Sequence, residues 1–287
     1  MRDVRQPPVR PVTSHRIVAV RGESLEVRED RVVGEAPLEI RAAGPRQEPV
    51  AVAVTMRTPG HEAELAVGFL RTEGLIEGPE VVGTSAGNPV ELSQPDDTIV
   101  VRLSVPFDAS KVAERHFIAT ASCGICGKAS IDDVALRCQP IGPGPVVARP
   151  VILALPDQLR AAQRAFDETG GLHAAGLFAP NGELIAVRED VGRHNALDKL
   201  VGSQVLAAAL PLRDRILMVS GRVSFEIVQK AAVAGIPIVA AVSAPSDLGI
   251  ETAERLGVTL IGFLREGGFN VYAHDRRIHL RDLSGLG

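Results

Sequence analysis

The chain has 287 residues, 45% hydrophobic and 23% charged, a balance that builds a packed core and excludes disordered and fibrous classes. Aromatics make up only 3%, and 31 Lys plus Arg stand against 35 Asp plus Glu for a formal charge of −4. Lacking a basic surface and stacking platforms, the chain is not expected to bind nucleic acid in bulk, although a local anion pocket is compatible with these totals. No apolar run approaches the roughly 18 residues of a membrane span, and the N-terminal stretch lacks the apolar segment of a secretion signal. A cytoplasmic protein with no membrane partner is therefore expected.

Residues 1–16, with Pro7, Pro8, Pro11 and four arginines, read as a flexible basic arm. Residues 17–140 read as a smaller β-rich N-terminal subdomain. Its stretches RIVAV, EDRVV and VAVAVTM, broken by Gly22 and Gly34, suggest a small antiparallel sheet. A helix follows in TPGHEAELAVGFLRTEGLI, where Leu65 with Phe69 and Ala66 with Leu70 share a face and Gly74 ends the run. TIVVRLSV reads as a further strand.

Residues 141–150 carry prolines and glycines that oppose a continuing helix and read as a linker. The remainder, 151–287, reads as an α/β subdomain. A helix is predicted over about 157–168, then two strands around the turn signal Asn181-Gly182, then a long helix through Leu197, Leu200 and Val201. Three strand-led units follow. The fold class expected is α/β: a three-layer mixed sheet with helices on both faces. Successive βα units put the carboxyl ends of their strands along one edge. That edge receives Ser220, Gly221 and Arg222, then Ser243 and Ser246, then the segment from Phe263 to Gly268. Two of these junctions lead into helix N-termini, which favour an anion, and Arg222 and Arg265 offer planar forks for phosphate. Taken singly, the serines read better as helix caps; it is their coincidence on one edge with the two arginines that favours a phosphorylated ligand.

Cys123 and Cys126 form a C-x-x-C flanked by glycines, with Lys128 beyond. Three uses compete: a zinc site completed by Cys138 and His116, a dithiol redox centre, and a nucleophilic thiolate that carries a group. The zinc spacing lacks a second close pair, and three poor helix formers separate the motif from any helix. The glycines, which leave the sulfur uncovered, suit the carrier use. Cys138, in an apolar stretch, reads as a core residue. No permanently bound metal is expected. In REDVGRHNALDK, eight of twelve residues are polar or charged. His194 and Asp198 stand at i, i+4, so the carboxylate can orient the imidazole, and Arg193 at the helix start is free to reach an anion.

These motifs resemble the formate dehydrogenase accessory sulfurtransferases, the FdhD family. The resemblance covers nearly the whole chain from about residue 16 and rests on TPGHEAELAVGFLRTEG, TASCGICGK, TGGLHAAGLF, REDVGRHNALDK, SGRVSFEIVQKAA, AVSAPS and LIGFLREGGFNVY, in that order. It implies a cytidine-deaminase-like fold and a homodimer. It also implies a carrier that takes sulfane sulfur from a cysteine desulfurase and delivers it to the molybdenum or tungsten bis-pterin guanine dinucleotide cofactor of formate dehydrogenase. The resemblance makes Cys123 the persulfide carrier and Cys126 its assisting partner. It maps cofactor binding onto Phe263, Leu264, Arg265, Glu266, Gly267 and Gly268. Glu266 departs from what pyrophosphate favours, unless it only orients Arg265. A nucleobase deaminase fails on residues: no His or Cys has Glu two positions later, and Ser122 stands where the proline would precede the thiols. A non-catalytic chaperone for the nucleotide-bearing cofactor is the remaining alternative.

Overall fold

The computed structural model describes residues 11–86, 97–113 and 140–280. Cys123, Cys126, Cys138, His116 and Lys128 lie outside the described residues. Strands β1 (Val12–Arg21) and β2 (Ser24–Val33) form an antiparallel ribbon turning at Gly22. β1 begins inside the expected arm. The last proline, Pro11, instead receives the Gly34 amide at 2.8 Å, and the alternating residues after it pair with β2 throughout.

β3 (Ala36–Ala43), β4 (Val50–Arg57), helix α1 (Glu62–Thr72), β5 (Val81–Ala86) and β6 (Thr98–Leu103) follow. The four strands form a sheet ordered β4-β3-β6-β5, in which β3 and β6 are parallel. The expected small antiparallel sheet is thus two sheets, the larger of them mixed. The connection through α1 brings the chain back in its original direction, as parallel pairing requires. The α1 face of Leu65, Ala66, Phe69 and Leu70 is buried as its spacing predicts.

After α2 (Ser110–Ala113), the described chain resumes with β7 (Val147–Ala148), α3 (Arg149–Ala162) and α4 (Arg164–Thr169). The helix expected at 157–168 begins at Arg149, because Pro150 falls in its first turn, where a missing amide costs nothing, and it breaks at Gln163. The linker is not a free connection. The Ile141 amide donates to the Leu256 carbonyl at 2.8 Å, Arg277 donates to the Gly142 carbonyl at 2.7 Å, and β7 pairs with β14 (Ile278–His279).

β8 (His173–Phe178), β9 (Leu184–Asp190), α5 (Arg193–Leu206), β10 (Ile216–Val219), α6 (Phe225–Val233), β11 (Ile238–Ala241), α7 (Asp247–Leu256), β12 (Thr259–Arg265) and β13 (Gly268–Ala273) complete the fold. The six-stranded sheet is ordered β13-β12-β11-β10-β8-β9. β10, β11 and β12 run parallel, and β8, β9 and β13 pair antiparallel. Burial on both faces explains the uninterrupted apolar strands: Leu217 and Val219 join the core under α5 to α7, while Ile216 and Met218 join that under α3.

The two halves share one core. Gly68 of α1 and Gly202 of α5 let the helices touch, since a Cβ on either would lie 1.8 Å from a backbone oxygen of the other helix, that of Asp198 or of Glu64. Leu38, Ile40 and Val101 of the first half accordingly pack in the same cluster as Leu197, Val228 and Leu260 of the second. The expected boundary between subdomains is not a boundary in packing.

Candidate functional site

The carboxyl ends of β10, β11 and β12 lie along one edge of the sheet. β8 runs against β10 and begins at that edge, where β9 ends, so His173 and the Asp190–Arg193 turn arrive there too. A cleft of about 650 Å³ opens at this edge between the strand ends and the wall made by α3 and α4. His173, Ser220, Val242, Leu264 and Arg265 form its floor, and Arg160, Gln163 and Phe166 form the wall. The Arg160 guanidinium sits 4.7 Å from the centre of the Phe166 ring and pairs with Asp167 at 2.5 Å.

Ser220 fastens the edge: its Oγ accepts from the Ala174 amide at 2.9 Å and its amide donates to the Ala174 carbonyl at 3.0 Å. Gly221 is buried beside it, and a Cβ there would lie 3.2 Å from His173 Nδ1 and 3.7 Å from Arg193 Cδ. Burial, with the charges of Arg193 and His194 adding to it, holds the His173 imidazole below its ordinary pKa. His173 was missed in the sequence. Its signal was a lone His two residues after Gly170-Gly171, opening an apolar strand.

Arg193 opens α5, and its Nε is shielded from water without a hydrogen-bond partner among the described residues. Such a donor suits an anionic ligand. Arg222 is exposed at the β10 turn. Arg265 is exposed at the end of β12, 5.7 Å from the Phe263 ring centre, and its Nε donates to the Val242 carbonyl at 3.4 Å. Among the described residues it forms no ion pair with Glu266, which answers the concern that this carboxylate would neutralise it. Phe263 has a φ of 52° and is 40% exposed, whereas Leu264 is fully buried. Glu266 and Gly267 turn the chain into β13, so the FLREGG segment is a hairpin.

One expected anion contact is otherwise engaged. Ser246 caps α7, its Oγ accepting from the Gly249 amide at 3.1 Å, and Asp247 takes the Leu248 amide at 2.7 Å. The α7 N-terminus therefore has no free amides at these positions, and a carboxylate stands in front of it. Ser243 contributes its carbonyl to the Phe263 amide at 3.1 Å.

The His194–Asp198 pair does not form. His194 Nε2 lies 2.7 Å from Glu226 and 3.4 Å from the Ser224 hydroxyl, while Asp198 meets Lys230 at 3.0 Å and Thr72 at 2.6 Å. Glu226 and Lys230 are also spaced i, i+4, so the pairs form across α5 and α6 instead of along α5. Most of the polar density around them braces the fold. Arg188 grips Glu64, Glu189 accepts the first amides of α4, Asp190 holds Lys199 at 2.7 Å, and Asn195 donates to the Met56 carbonyl at 2.7 Å.

A second hollow, of about 800 Å³, lies at the amino ends of the same strands and is lined by Arg71, Glu73, Lys111, Pro140 and Arg213. Lys111 and Pro140 lie close to the two ends of the segment that carries Cys123 and Cys126. Among the described residues no helix is long and apolar enough to cross a membrane.

The chain is similar to proteins described as sulfur carrier protein FdhD. One from Streptomyces avermitilis is 48% identical over 284 residues, covering 96% of this chain and 99% of that protein. Another from Sulfurisphaera tokodaii is 42% identical, covering 92% and 97%. Among solved structures, a formate dehydrogenase accessory protein from Desulfotalea psychrophila matches with a TM-score of 0.69 and 25% identity, covering 94% of this chain and all of that one. The FdhD/NarQ family model matches residues 33–279, from the last residue of the β1–β2 ribbon onward. The chain belongs to the FdhD/NarQ family.

Proposed function

We propose that this chain is a sulfur carrier for formate dehydrogenase maturation. In this reading Cys123 takes sulfane sulfur from a cysteine desulfurase and hands it to the metal of a bis-pterin guanine dinucleotide cofactor. Relatives at 48% identity that bear the name of sulfur carrier support the general activity. The observation that carries the finer reading is the strand-end cleft, lined by His173, Ser220, Arg265 and the Phe166 ring, with the Arg193 Nε, which has no partner among the described residues, beside Gly221 at the same sheet edge.

In the loading step the Cys123 thiolate attacks the outer sulfur of a donor persulfide. The donor S–S bond breaks, its thiolate leaves, and Cys123 holds the sulfur as a persulfide. In delivery the outer sulfur passes to the metal of the cofactor, whose reduced state supplies the two electrons that make it sulfide, and Cys123 returns as a thiolate. The cofactor is cargo. Arg193 and Arg265 grip its phosphates, Phe166 and Phe263 offer ring faces to a base, and Ser220 and Gly221 keep the floor close and rigid. Cys126 attends the transfer. One cleft accommodates one dinucleotide arm, and a homodimer supplies a cleft for each.

Intact-mass spectrometry after incubation with a desulfurase and cysteine tests the carrier. A gain of about 32 Da, one sulfur atom, is expected on the native protein and not on Cys123→Ala. Cys123→Ala should still bind guanosine diphosphate but fail to support formate dehydrogenase activity. Retained activity in that variant would favour the purely binding chaperone.

A further inference from the structure

We propose that the helical wall of the strand-end cleft reads the base of the bound nucleotide, with Asp157 and Gln163 selecting guanine over adenine. The inference rests on the cofactor reading proposed above and assigns the specificity of that same site to two residues outside the FLREGG segment.

Gln163 stands at the break between α3 and α4 and lines the cleft. It is only 4% exposed, yet its carboxamide has no hydrogen-bond partner among the described residues. A buried carboxamide left without partners is costly, and a ligand entering the cleft would satisfy it. Asp157 lines the same wall from α3 and is exposed. Asp157 and Arg160 stand at i, i+3, a spacing at which an ion pair is ordinary. Arg160 turns instead to Asp167 at 2.5 Å and lies 4.7 Å from the centre of the Phe166 ring. The Asp157 carboxylate is thereby left without a partner among the described residues.

Charge orients the nucleotide. Arg265 on the floor and Arg193 at the same sheet edge draw the phosphates, whereas the Asp157 carboxylate repels them and leaves the wall to the base. Pro156, Leu159 and Phe166 give that wall an apolar surface suited to a flat ring.

The polar groups then fit one base edge. Guanine presents two donors, N1–H and the 2-amino group, beside the acceptor O6. A carboxylate only accepts, so Asp157 takes the two donors, and the Gln163 amide donates to O6. Adenine presents its unprotonated N1 to the carboxylate and has no 2-amino group, so it loses both bonds and meets a repulsive pair. A pterin carries the same edge as guanine, with its 4-oxo group in place of O6.

Calorimetric titration of the full chain with guanosine, inosine and adenosine diphosphates tests this. The native protein should bind guanosine diphosphate about tenfold tighter than the inosine form, which lacks the 2-amino group, and about 100-fold tighter than the adenosine form. Asp157→Ala should bring the guanosine and inosine constants together. Gln163→Met should weaken both by about tenfold and keep their ratio. Should the buried substitution disturb folding, read by circular dichroism, the exposed Asp157 still decides the matter. Guanosine diphosphate bound with the same preference by native protein and Asp157→Ala overturns the wall assignment and leaves the cofactor reading standing. No binding to the native protein overturns both. Displacement of guanosine diphosphate by an equal concentration of 6-hydroxymethylpterin would give the wall to the pterin and overturn its assignment to guanine.

Discussion

Asp198 and Lys230 form a buried rung between α5 and α6, with both carboxylate oxygens 3.0 Å from the ammonium. One turn earlier on each helix, His194 and Glu226 form a second rung at 2.7 Å. The inner rung reaches α1 as well, since Lys230 also meets Thr72 at 2.9 Å and Glu73 at 2.8 Å. Burial pulls the Lys230 ammonium toward neutrality, but Asp198 and Glu73 more than offset this and hold it charged, above the ordinary lysine value.

Lys230→Met strands the Asp198 carboxylate in the core and should cost about 3–5 kcal/mol in urea unfolding. Asp198→Leu combined with Lys230→Met removes both charges and should recover most of that loss. A double variant no more stable than the single would show that the ions do more than neutralise each other.

The helix contact between Gly68 and Gly202 makes a second prediction. A methyl group at Gly202 meets the Glu64 carbonyl oxygen at 1.8 Å, and backbone cannot give way as a flexible side chain does. Gly202→Ala should lower stability by at least ~1–3 kcal/mol, the ordinary range for overpacking. Gly22→Ala, with nothing within 4 Å but a φ of 59°, reports the cost of backbone strain alone. Equal losses at the two positions would contradict the close crossing.

How much of this was legible in the sequence depended on the range of the interaction. The α1 face, the strands buried on both sides and the Asn181-Gly182 turn rest on local spacing. That turn forms with the Glu183 amide donating to the Asn181 side chain at 3.1 Å. The parallel pairing of β3 with β6 and the rungs between α5 and α6 join residues far apart in sequence, where local patterns are silent. His194 and Asp198 carried the right spacing but suggested the wrong partner, because Glu226 and Lys230 offered the same spacing one helix later. Ser246 shows the converse: its capping role was the local reading, and the structure keeps it.

Cleft residues should separate into those that hold phosphate and those that only shape the floor. With guanosine diphosphate as probe, Arg265→Ala should weaken binding by about tenfold or more, the worth of a hydrogen bond to a charged group. Glu266→Ala should leave affinity unchanged or improve it, since the carboxylate does not orient Arg265. Gly221→Ala should also weaken binding, because its methyl group crowds His173 at 3.2 Å. Calorimetric titration measures all three, and a loss at Glu266 equal to that at Arg265 would contradict this assignment.

The clamp on Glu64 sets how the fold responds to acid. Burial alone would raise the Glu64 pKa, but hydrogen bonds from Arg188 and His61, with their charges, bring it down from 4.5 to about 2. A carboxylate whose pKa is lower folded than unfolded contributes stability that is complete above the unfolded value. That contribution is lost as pH falls from about 4.5 toward 2, because the unfolded chain takes up the proton first. Glu64→Gln, which cannot ionise, should therefore be less stable than the native chain at pH 7, and the gap should close by about pH 2. Arg188→Met should weaken the dependence in the same way by raising the Glu64 pKa toward its ordinary value. Urea midpoints measured from pH 7 to pH 2 read the effect, and parallel curves for native and Glu64→Gln would show that Arg188 does not hold this carboxylate.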